Sequence, residues 1–186
     1  MVATLWNEFQ EAVQHARGYE KALDKYIRNR FGGRTLATYD YNGLGEDKPP
    51  KLYGEDQDLI VPDFLWFGQK TSRWIECKWK TGASPRPDRK SGEIVTGFNL
   101  RHWEHYNKVQ KETGIEVVII FIHQREAECL FSTLAELRDC EDHRWEKWGN
   151  FPNGAKRPPM IYFVCRKLKR LCSLKDLLRF YINENS

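Results

Sequence analysis

The strongest constraint on the fold is an apolar, β-branched segment in the second half of the chain. Residues Ile115 to Ile122 include one charged side chain, Glu116, and end in the uninterrupted apolar run Val117 to Ile122. This run is far shorter than the roughly 20 residues that a membrane-spanning helix requires. It is typical of a central strand that is buried on both faces. We therefore expect a sheet with further structure packed on each side.

The flanking segments predict helices and strands in alternation. The predicted elements are, in order, a helix over Leu5–Phe31 ending at Gly32-Gly33, a strand over Arg34–Tyr41, a polar loop over Asn42–Asp58, a hairpin of Leu59–Phe67 and Arg73–Trp79, an exposed loop over residues 81–97, a helix from the N-cap Asn99 to Thr113, the buried strand, a short strand over Glu128–Phe131, a short helix after Thr133, a strand over Met160–Cys165 and a helix opened by Ser173. This order favours an α/β fold with a central mixed sheet flanked by helices.

Length and cysteine content indicate the organisation and the compartment. The 186 residues contain no repeat or linker, so we expect a single domain over residues 1–186. Five cysteines at irregular spacing favour reduced thiols, and the first residues lack the pattern of a secretory signal. The sequence predicts a cytoplasmic protein.

Positive charge is concentrated near the C-terminus. Residues 1–140 carry 20 basic and 21 acidic side chains, whereas the basic extension 141–186 carries 10 basic and 5 acidic ones. Such a patch indicates a polyanionic partner, or else an ordinary solvated surface. The candidate nucleic-acid-binding residues are the basic side chains of this extension and of the loop over residues 81–97: Lys156, Arg157, Lys167, Lys169, Arg170, Arg86, Arg89 and Lys90. The aromatic residues Trp145, Trp148 and Phe151 beside them either stack on bases or pack beneath a loop.

Charged residues interrupt both apolar strands of the predicted hairpin. Strand alternation places Asp63 on the face of Val61 and Leu65. In the second strand, Glu76 and Lys78 share a face, while Cys77 points away. Charges among apolar neighbours cost stability unless they are paired or bind a metal.

A third acid lies on the first helix. Glu20 projects at the same angle as the apolar residue Ile27, so Glu20, Asp63, Glu76 and Lys78 are all expected at one helix–sheet interface. Converging carboxylates raise one another's pKa unless a divalent cation neutralises them, and oxygen ligands suit Mg²⁺ or Mn²⁺. Two alternatives remain open: Asp24 or Asp58 in place of Glu20, and a structural salt-bridge network of the acids with Lys78 and Arg73.

Pro62-Asp63 followed by Glu76-Cys77-Lys78 resembles the motif of the PD-(D/E)XK nuclease superfamily, and the helix with Gly18-Tyr19-Glu20 is similar to the helix that supplies an extra acid in many members. The resemblance covers a core of residues 5–125. It implies a restriction-endonuclease-like fold and a Mg²⁺-dependent deoxyribonuclease, most simply an endonuclease.

The resemblance also implies residue roles. Asp63, Glu76, the backbone carbonyl of Cys77 and Glu20 would hold the metal, and Lys78 would orient the attacking water or stabilise charge on the phosphate. A structure-specific or junction-resolving enzyme fits, and a homodimer would cut two strands. A non-catalytic nucleic-acid-binding module on the same fold is the alternative, and the choice between DNA and RNA stays open.

Other polar residues give weaker indications. His102 and His105 are expected to face solvent or to pack, because their spacing is not a metal-binding pattern. Tyr106 and Gln110 lie on the inward side of the same helix and either reach the site or pack in the core. The sequence has no Cys-x-x-Cys pair, so Cys140 and His143 do not predict a zinc site.

Overall fold

Strands and helices alternate along the chain, as the sequence predicts. The computed structural model describes residues 18–37, 51–53, 58–81, 85–88, 90–150 and 156–182. In these ranges the elements are helix α1 (18–31), β1 (Arg34–Ala37), β2 (Lys51–Tyr53), β3 (Asp58–Ile60), β4 (Phe64–Phe67), β5 (Ser72–Lys80), β6 (Arg86–Pro87), β7 (Ile94–Asn99), α2 (Leu100–Thr113), β8 (Val117–His123), β9 (Glu128–Thr133), α3 (Leu134–Cys140), β10 (Glu141–Trp145), β11 (Gly149–Asn150), β12 (Lys156–Arg157), β13 (Met160–Val164), a 3₁₀ turn (Cys165–Lys167), β14 (Lys169–Ser173) and α4 (Leu174–Ile182). No helix in the described ranges has the length and hydropathy needed to cross a membrane.

The buried run forms β8, in the interior of a mixed sheet with the order β1-β4-β5-β8-β9-β14. β5 and β8 are parallel, and the other neighbouring strands in this sheet are antiparallel. The predicted α/β fold with a central mixed sheet is confirmed.

Apolar layers cover both faces of this sheet. On one face, α1 and α4 pack through Leu23, Ile27 and Leu177 against Ile75 and Ile120. On the other face, α2 and α3 pack against the sheet with Trp103, Val109 and Leu137 among the buried side chains. Burial of each large apolar side chain contributes about 1.5–3 kcal/mol to folding. Phe31, which we expected on the buried arc of the first helix, is exposed, because α1 ends there and the chain turns at Gly32 and Gly33.

Helix α2 runs alongside β5, from the C-terminal end of the strand back toward its N-terminal end. Its N-cap is Asn99, whose side chain accepts the N–H of Arg101, and it ends at Gly114 in a left-handed conformation, both as predicted. At the end of α2, the indole of Trp74 donates to the Thr113 hydroxyl at 3.2 Å. The first turn of α2 therefore lies near the C-terminal end of β5.

A second antiparallel sheet, with the order β10-β13-β7-β6, packs on the face that holds α2. Our prediction of an exposed loop over residues 81–97 is wrong at its C-terminal end, since Val95, Thr96 and Gly97 are buried in β7. A Cβ at Gly97 would lie 2.2 Å from the carbonyl oxygen of Ile161, so glycine lets β7 and β13 approach. The segment is polar and contains glycine, so its sequence resembles that of a loop although its C-terminal end forms a strand.

Two further boundaries differ from the prediction. The expected loop over Asn42–Asp58 contains β2, which pairs with β3, and the expected strand Leu59–Phe67 is split between β3 and β4. In the basic extension 141–186, β10 and β13 belong to the second sheet and β14 lies at the edge of the first. Residues 5–17 of the predicted first helix, Arg89 and Phe151 lie outside the described residues.

Candidate active site

The break between β3 and β4 positions Asp63. Pro62 has no N–H to donate, and pairing of β4 with β5 starts at the Phe64–Ile75 pair. Beyond this pair the backbone N–H of Cys77 donates to Asp63 Oδ2 at 2.7 Å. The carboxylate, 5% exposed, thus takes the place of a strand partner at this edge.

The carbonyl of Cys77 is directed to the same edge. The N–H of Trp74 donates to Glu116 and the carbonyl of Lys80 accepts from Gln124, so even-numbered residues of β5 bond toward β8. A residue in a strand directs its N–H and C=O to the same side, so Cys77 directs both away from β8 and toward Asp63. Its thiol is buried on the face of α1, where burial and the Asp63 charge raise the pKa of the thiol well above its usual range.

Glu76 and Lys78 lie on the opposite face of β5, toward α2. Glu76 is 3% exposed and its Oε1 forms an ion pair with Lys78 Nζ. Among the described residues, Glu76 Oε2 is buried without a hydrogen-bond partner. A buried carboxylate oxygen without a hydrogen-bond partner lowers the stability of the fold, and such an oxygen is suited to bind a cation.

The acids act on one another electrostatically. Burial, then the negative charges of Glu76 and Glu20, raise the pKa of Asp63 well above its usual range. Burial favours the neutral form of Lys78, but the charges of Glu76 and Asp63 outweigh it and raise the pKa of the lysine. Glu20 is half-buried on α1, and its charge acts on Asp63 and Cys77. Because α1 packs on the face of Cys77 while Glu76 and Lys78 face α2, the expected single helix–sheet interface for all four residues is wrong.

The alternatives of the sequence analysis can now be placed. Asp24 is held by Arg28 at 2.8 Å and by the Thr35 hydroxyl, so it does not replace Glu20 as the third acid. Asp58 is exposed on β3. Arg73 pairs with Glu116 at 2.6 Å, so of the alternative salt-bridge network only the pair of Lys78 with Glu76 is present.

Sequence reasoning missed His102. Its Nδ1 lies 3.3 Å from Lys78 Nζ and 3.0 Å from the Tyr106 hydroxyl. Burial, followed by the charge of Lys78, lowers the pKa of His102 to about 3, so the imidazole is neutral at neutral pH. The signal was present: an N-cap at Asn99 places His102 in the first turn of α2 and Tyr106 one turn later on the same face.

The neighbours of His102 on α2 have structural contacts. His105 Nδ1 accepts the N–H of Ile60 at 2.9 Å, and Gln110 accepts the N–H of Val117 at 2.9 Å, so Gln110 does not reach the site. Lys78 Nζ also lies 5.8 Å from the ring centroids of Phe98 and Tyr106. The electron-rich faces of these rings attract the ammonium group.

Half-buried Lys80 and buried His123 continue this face toward the end of β5. Burial, then the charge of Lys78, lower the pKa of Lys80 to about 7. His123, opposite Lys80 on β8, is fully buried and lies 3.0 Å from the Thr96 hydroxyl. Burial lowers the pKa of His123 to about 4.

The predicted nucleic-acid-binding residues divide into two groups. On β14, at the far edge of the main sheet, Lys169 pairs with Glu136, and nearby Lys167 donates to the carbonyl of Asp139 at 2.9 Å. Arg170 is exposed on the same strand. The other predicted binding residues that the structure describes lie on or near the second sheet. Arg86 is on β6, Lys90 is in the turn before β7, and Lys156 and Arg157 are on β12 of the β11–β12 hairpin. The structure therefore does not gather these residues into one surface.

A separate cluster contains Asp88, Asp142 and His143, whose candidate ligand atoms lie within 4.8 Å of one another. His143 Nδ1 lies 2.6 Å from Asp142 and 3.8 Å from Asp88, while Asp88 also accepts the N–H groups of Lys90 and Ser91. This cluster joins β10 to the β6–β7 turn. Cys140, by contrast, directs its thiol to the carbonyl of Lys167.

Comparison with known proteins gives structural similarity alone. No model of a known protein family matches the sequence, and no curated protein matches it. Hjc, a Holliday junction resolvase of the hyperthermophile Archaeoglobus fulgidus, is similar at 14% identity and a TM-score of 0.45, over 77% of this chain and 86% of that chain. A nuclease from a fusselovirus is similar at 14% identity and a TM-score of 0.35, over 86% of this chain and 85% of that chain. This chain itself carries Pro62-Asp63 directly before β4 and Glu76-Cys77-Lys78 on the neighbouring strand β5.

Proposed function

We propose that this chain is a metal-dependent nuclease of the PD-(D/E)XK type that hydrolyses phosphodiester bonds in DNA with Mg²⁺ or Mn²⁺. One observation carries the proposal. Asp63 and Glu76 are buried carboxylates at the point where β4 leaves β5, and in the described part of the chain Glu76 Oε2 has no hydrogen-bond partner. A hard cation would relieve the repulsion that raises the pKa of Asp63.

The donor atoms fit such an ion. Asp63 and Glu76 would bind it through carboxylate oxygens, and Cys77 would add its backbone carbonyl. Glu20 would contribute directly or through water. All these donors are oxygen atoms, which suit Mg²⁺ and Mn²⁺ and not zinc.

The chemistry divides between the ion and the lysine. When bound, a divalent cation lowers the pKa of its water ligand and withdraws charge from the phosphate. Lys78 stays protonated, because Glu76 and Asp63 raise its pKa, and it would stabilise negative charge developing on the phosphate or orient the water. Neutral His102 would hold the ammonium group through its Nδ1, as a positioning residue.

The substrate and mode of cleavage follow from the same proposal. The cations of the second sheet and its hairpin would hold DNA phosphates, which are sequence-independent contacts. We propose an endonuclease that acts on branched or otherwise structured DNA, with two copies of the chain cutting two strands.

Cleavage assays test this function. Supercoiled plasmid, linear duplex, branched DNA and a matched RNA are incubated with the protein in Mg²⁺, in Mn²⁺ and in EDTA. We expect nicking of supercoiled DNA that requires a cation, since a closed circle offers no end to an exonuclease. Lys78→Ala and Glu76→Gln should abolish cleavage, while Lys70→Ala, an exposed lysine in the β4–β5 turn, should not. DNA binding without cleavage in either metal would instead identify a non-catalytic module.

A further inference from the structure

The end of β10 and the β11–β12 hairpin expose two tryptophans. Trp148 is 67% exposed, the highest value among the large apolar side chains that the structure describes, and Trp145 is 43% exposed. Tryptophan is usually well buried in a folded domain. An exposed indole that contributes little to the core is therefore a candidate binding surface.

The surroundings of Trp148 are polar and cationic. Trp148, Gly149, Asn150 and Lys156 line an open cavity of about 310 Å³, at the lower end of the roughly 300–1,000 Å³ of small-molecule sites. A protein-docking patch would have an apolar centre, but this cavity offers one flat aromatic face, one amide and one ammonium group. These groups match the base face, base edge and phosphate of a nucleotide.

Several cations of the basic extension are already neutralised by a neighbouring acid. Arg144, Arg166 and Lys169 are each paired with a carboxylate. Among the described residues, neither Lys156 nor Arg157 has a carboxylate partner. The Arg157 guanidinium instead lies 3.1 Å from the ring centroid of Trp145. The hairpin thus retains positive charge for an anionic partner.

The hairpin is connected to the candidate active site through the second sheet. Trp145 pairs with Met160, and Met160 pairs with Asn99, the N-cap of α2. Neighbouring strands are about 4.8 Å apart, so Trp145 lies about 10 Å across the sheet from Asn99. Three residues further along α2, His102 contacts Lys78. About three nucleotides, at about 3.4 Å of rise each, cover the distance from Trp145 to Asn99.

We propose that Trp148, Asn150 and Lys156, together with Arg157, bind an unpaired nucleotide of the nucleic acid that the candidate active site cleaves. This inference rests on the proposed function for the identity of the strand. The base stacks on Trp148, and its phosphate lies beside Lys156; Arg157, which follows Lys156 on β12 and stacks on Trp145, adds positive charge nearby. The protein then prefers DNA that carries unpaired bases to a continuous duplex.

Binding without cleavage tests the inference. Fluorescence anisotropy in EDTA, with Glu76→Gln as the background, compares a labelled duplex with the same duplex bearing a single-stranded thymidine overhang. We expect Trp148→Ala to weaken binding of the overhang DNA about fivefold or more and binding of the duplex less than twofold. Trp148→Phe should restore most of the affinity, and Phe67→Ala, an exposed aromatic residue on β4, should change neither affinity.

Three results would overturn it. These are equal losses on both DNAs, no loss on either, and a Trp148-dependent dimer in light scattering, which would assign the surface to a second copy of the chain. The outcome is separable from that of the proposed function. A wild-type protein that does not cleave but shows the Trp148-dependent preference supports this site alone, and cleavage without that preference supports only the nuclease.

Discussion

The carboxylate of Asp63 accepts the backbone N–H of Cys77 at 2.7 Å, across the point where β4 stops pairing with β5. Asp63 is therefore held by the main chain of the neighbouring strand. The same peptide edge directs the Cys77 carbonyl to the site. Loss of strand pairing beyond Phe64 creates the space in which both oxygens can face a ligand.

Asp63→Asn should stabilise the metal-free protein. The folded-state pKa of Asp63 is raised, so its contribution to stability is present at low pH and is lost as pH rises through that pKa. Asparagine keeps an acceptor for the Cys77 N–H and removes the buried charge. We expect a higher Tm in EDTA at pH 7–8, by a few degrees or on the order of 1 kcal/mol, and a smaller gain toward pH 4. A lower Tm at neutral pH would indicate a structural role for the charge.

Asp63→Ala should abolish Mn²⁺ binding, as measured by calorimetric titration. The matched control is Asp88→Ala in the cluster with Asp142 and His143, which is separate from the buried acids. We expect the control to retain the heat of binding at the Asp63 site. The opposite result, loss with Asp88→Ala alone, would move the metal centre to the other cluster.

His102→Leu should reduce kcat about 10- to 100-fold with little change in KM, because a small displacement of a reacting group is costly. Its contact with Lys78 spans 3.3 Å. His102→Gln, which retains an acceptor, should recover part of the rate. In a Lys78→Arg background, which keeps a positive charge and a measurable rate, His102→Leu should have a much smaller effect. Independent, additive losses would mean that His102 does not act through Lys78.

Stability should fall as the pH is lowered from 6.5 to about 4. Burial lowers the pKa of His123 to about 4, so between these values the unfolded state binds more protons than the folded state. The favourable contribution is complete above pH 6.5 and is lost toward pH 4. Urea unfolding across this window should show a shallower slope for His123→Asn than for the wild type. An unchanged slope would exclude His123 as a source of the acid sensitivity.

Lys156→Ala should lower the salt dependence of binding to overhang DNA by about one in the slope of log affinity against log salt. Lys169→Ala is the control, since Lys169 already pairs with Glu136 at the far edge of the main sheet. Its slope should match that of the wild type. Equal slopes for all three proteins would remove Lys156 from the phosphate contacts.

Features with local sequence signals were predicted well. The β8 run, the Asn99 cap and the reciprocal bonding of Thr133 and Glu136 each depend on residues within a few positions of one another. The antiparallel strands around Asp63 and Glu76 were recoverable for the same reason. Burial of these two acids also followed from their apolar neighbours.

Features set by distant contacts were not predicted. β7 is a strand because β13 pairs with it across more than sixty positions of sequence, and a single sequence pattern does not encode that partner. The contact of His102 with Lys78 depends on the packing of α2 over β5, and the pairing of Arg73 depends on Glu116 in the next parallel segment. Local propensity allows several partners at each of these positions, and the tertiary packing decides which contact forms.

The placement of β7 between β5 and α2 limits how far the protein can be shortened. Its neighbour β13 and the outer strand β14 both come from the basic extension. A truncation after residue 125 would leave β7 without β13 and would remove β9 and β14 from the main sheet. The residues around Lys78 therefore do not fold independently of the C-terminal strands, and a shortened protein must keep both sheets.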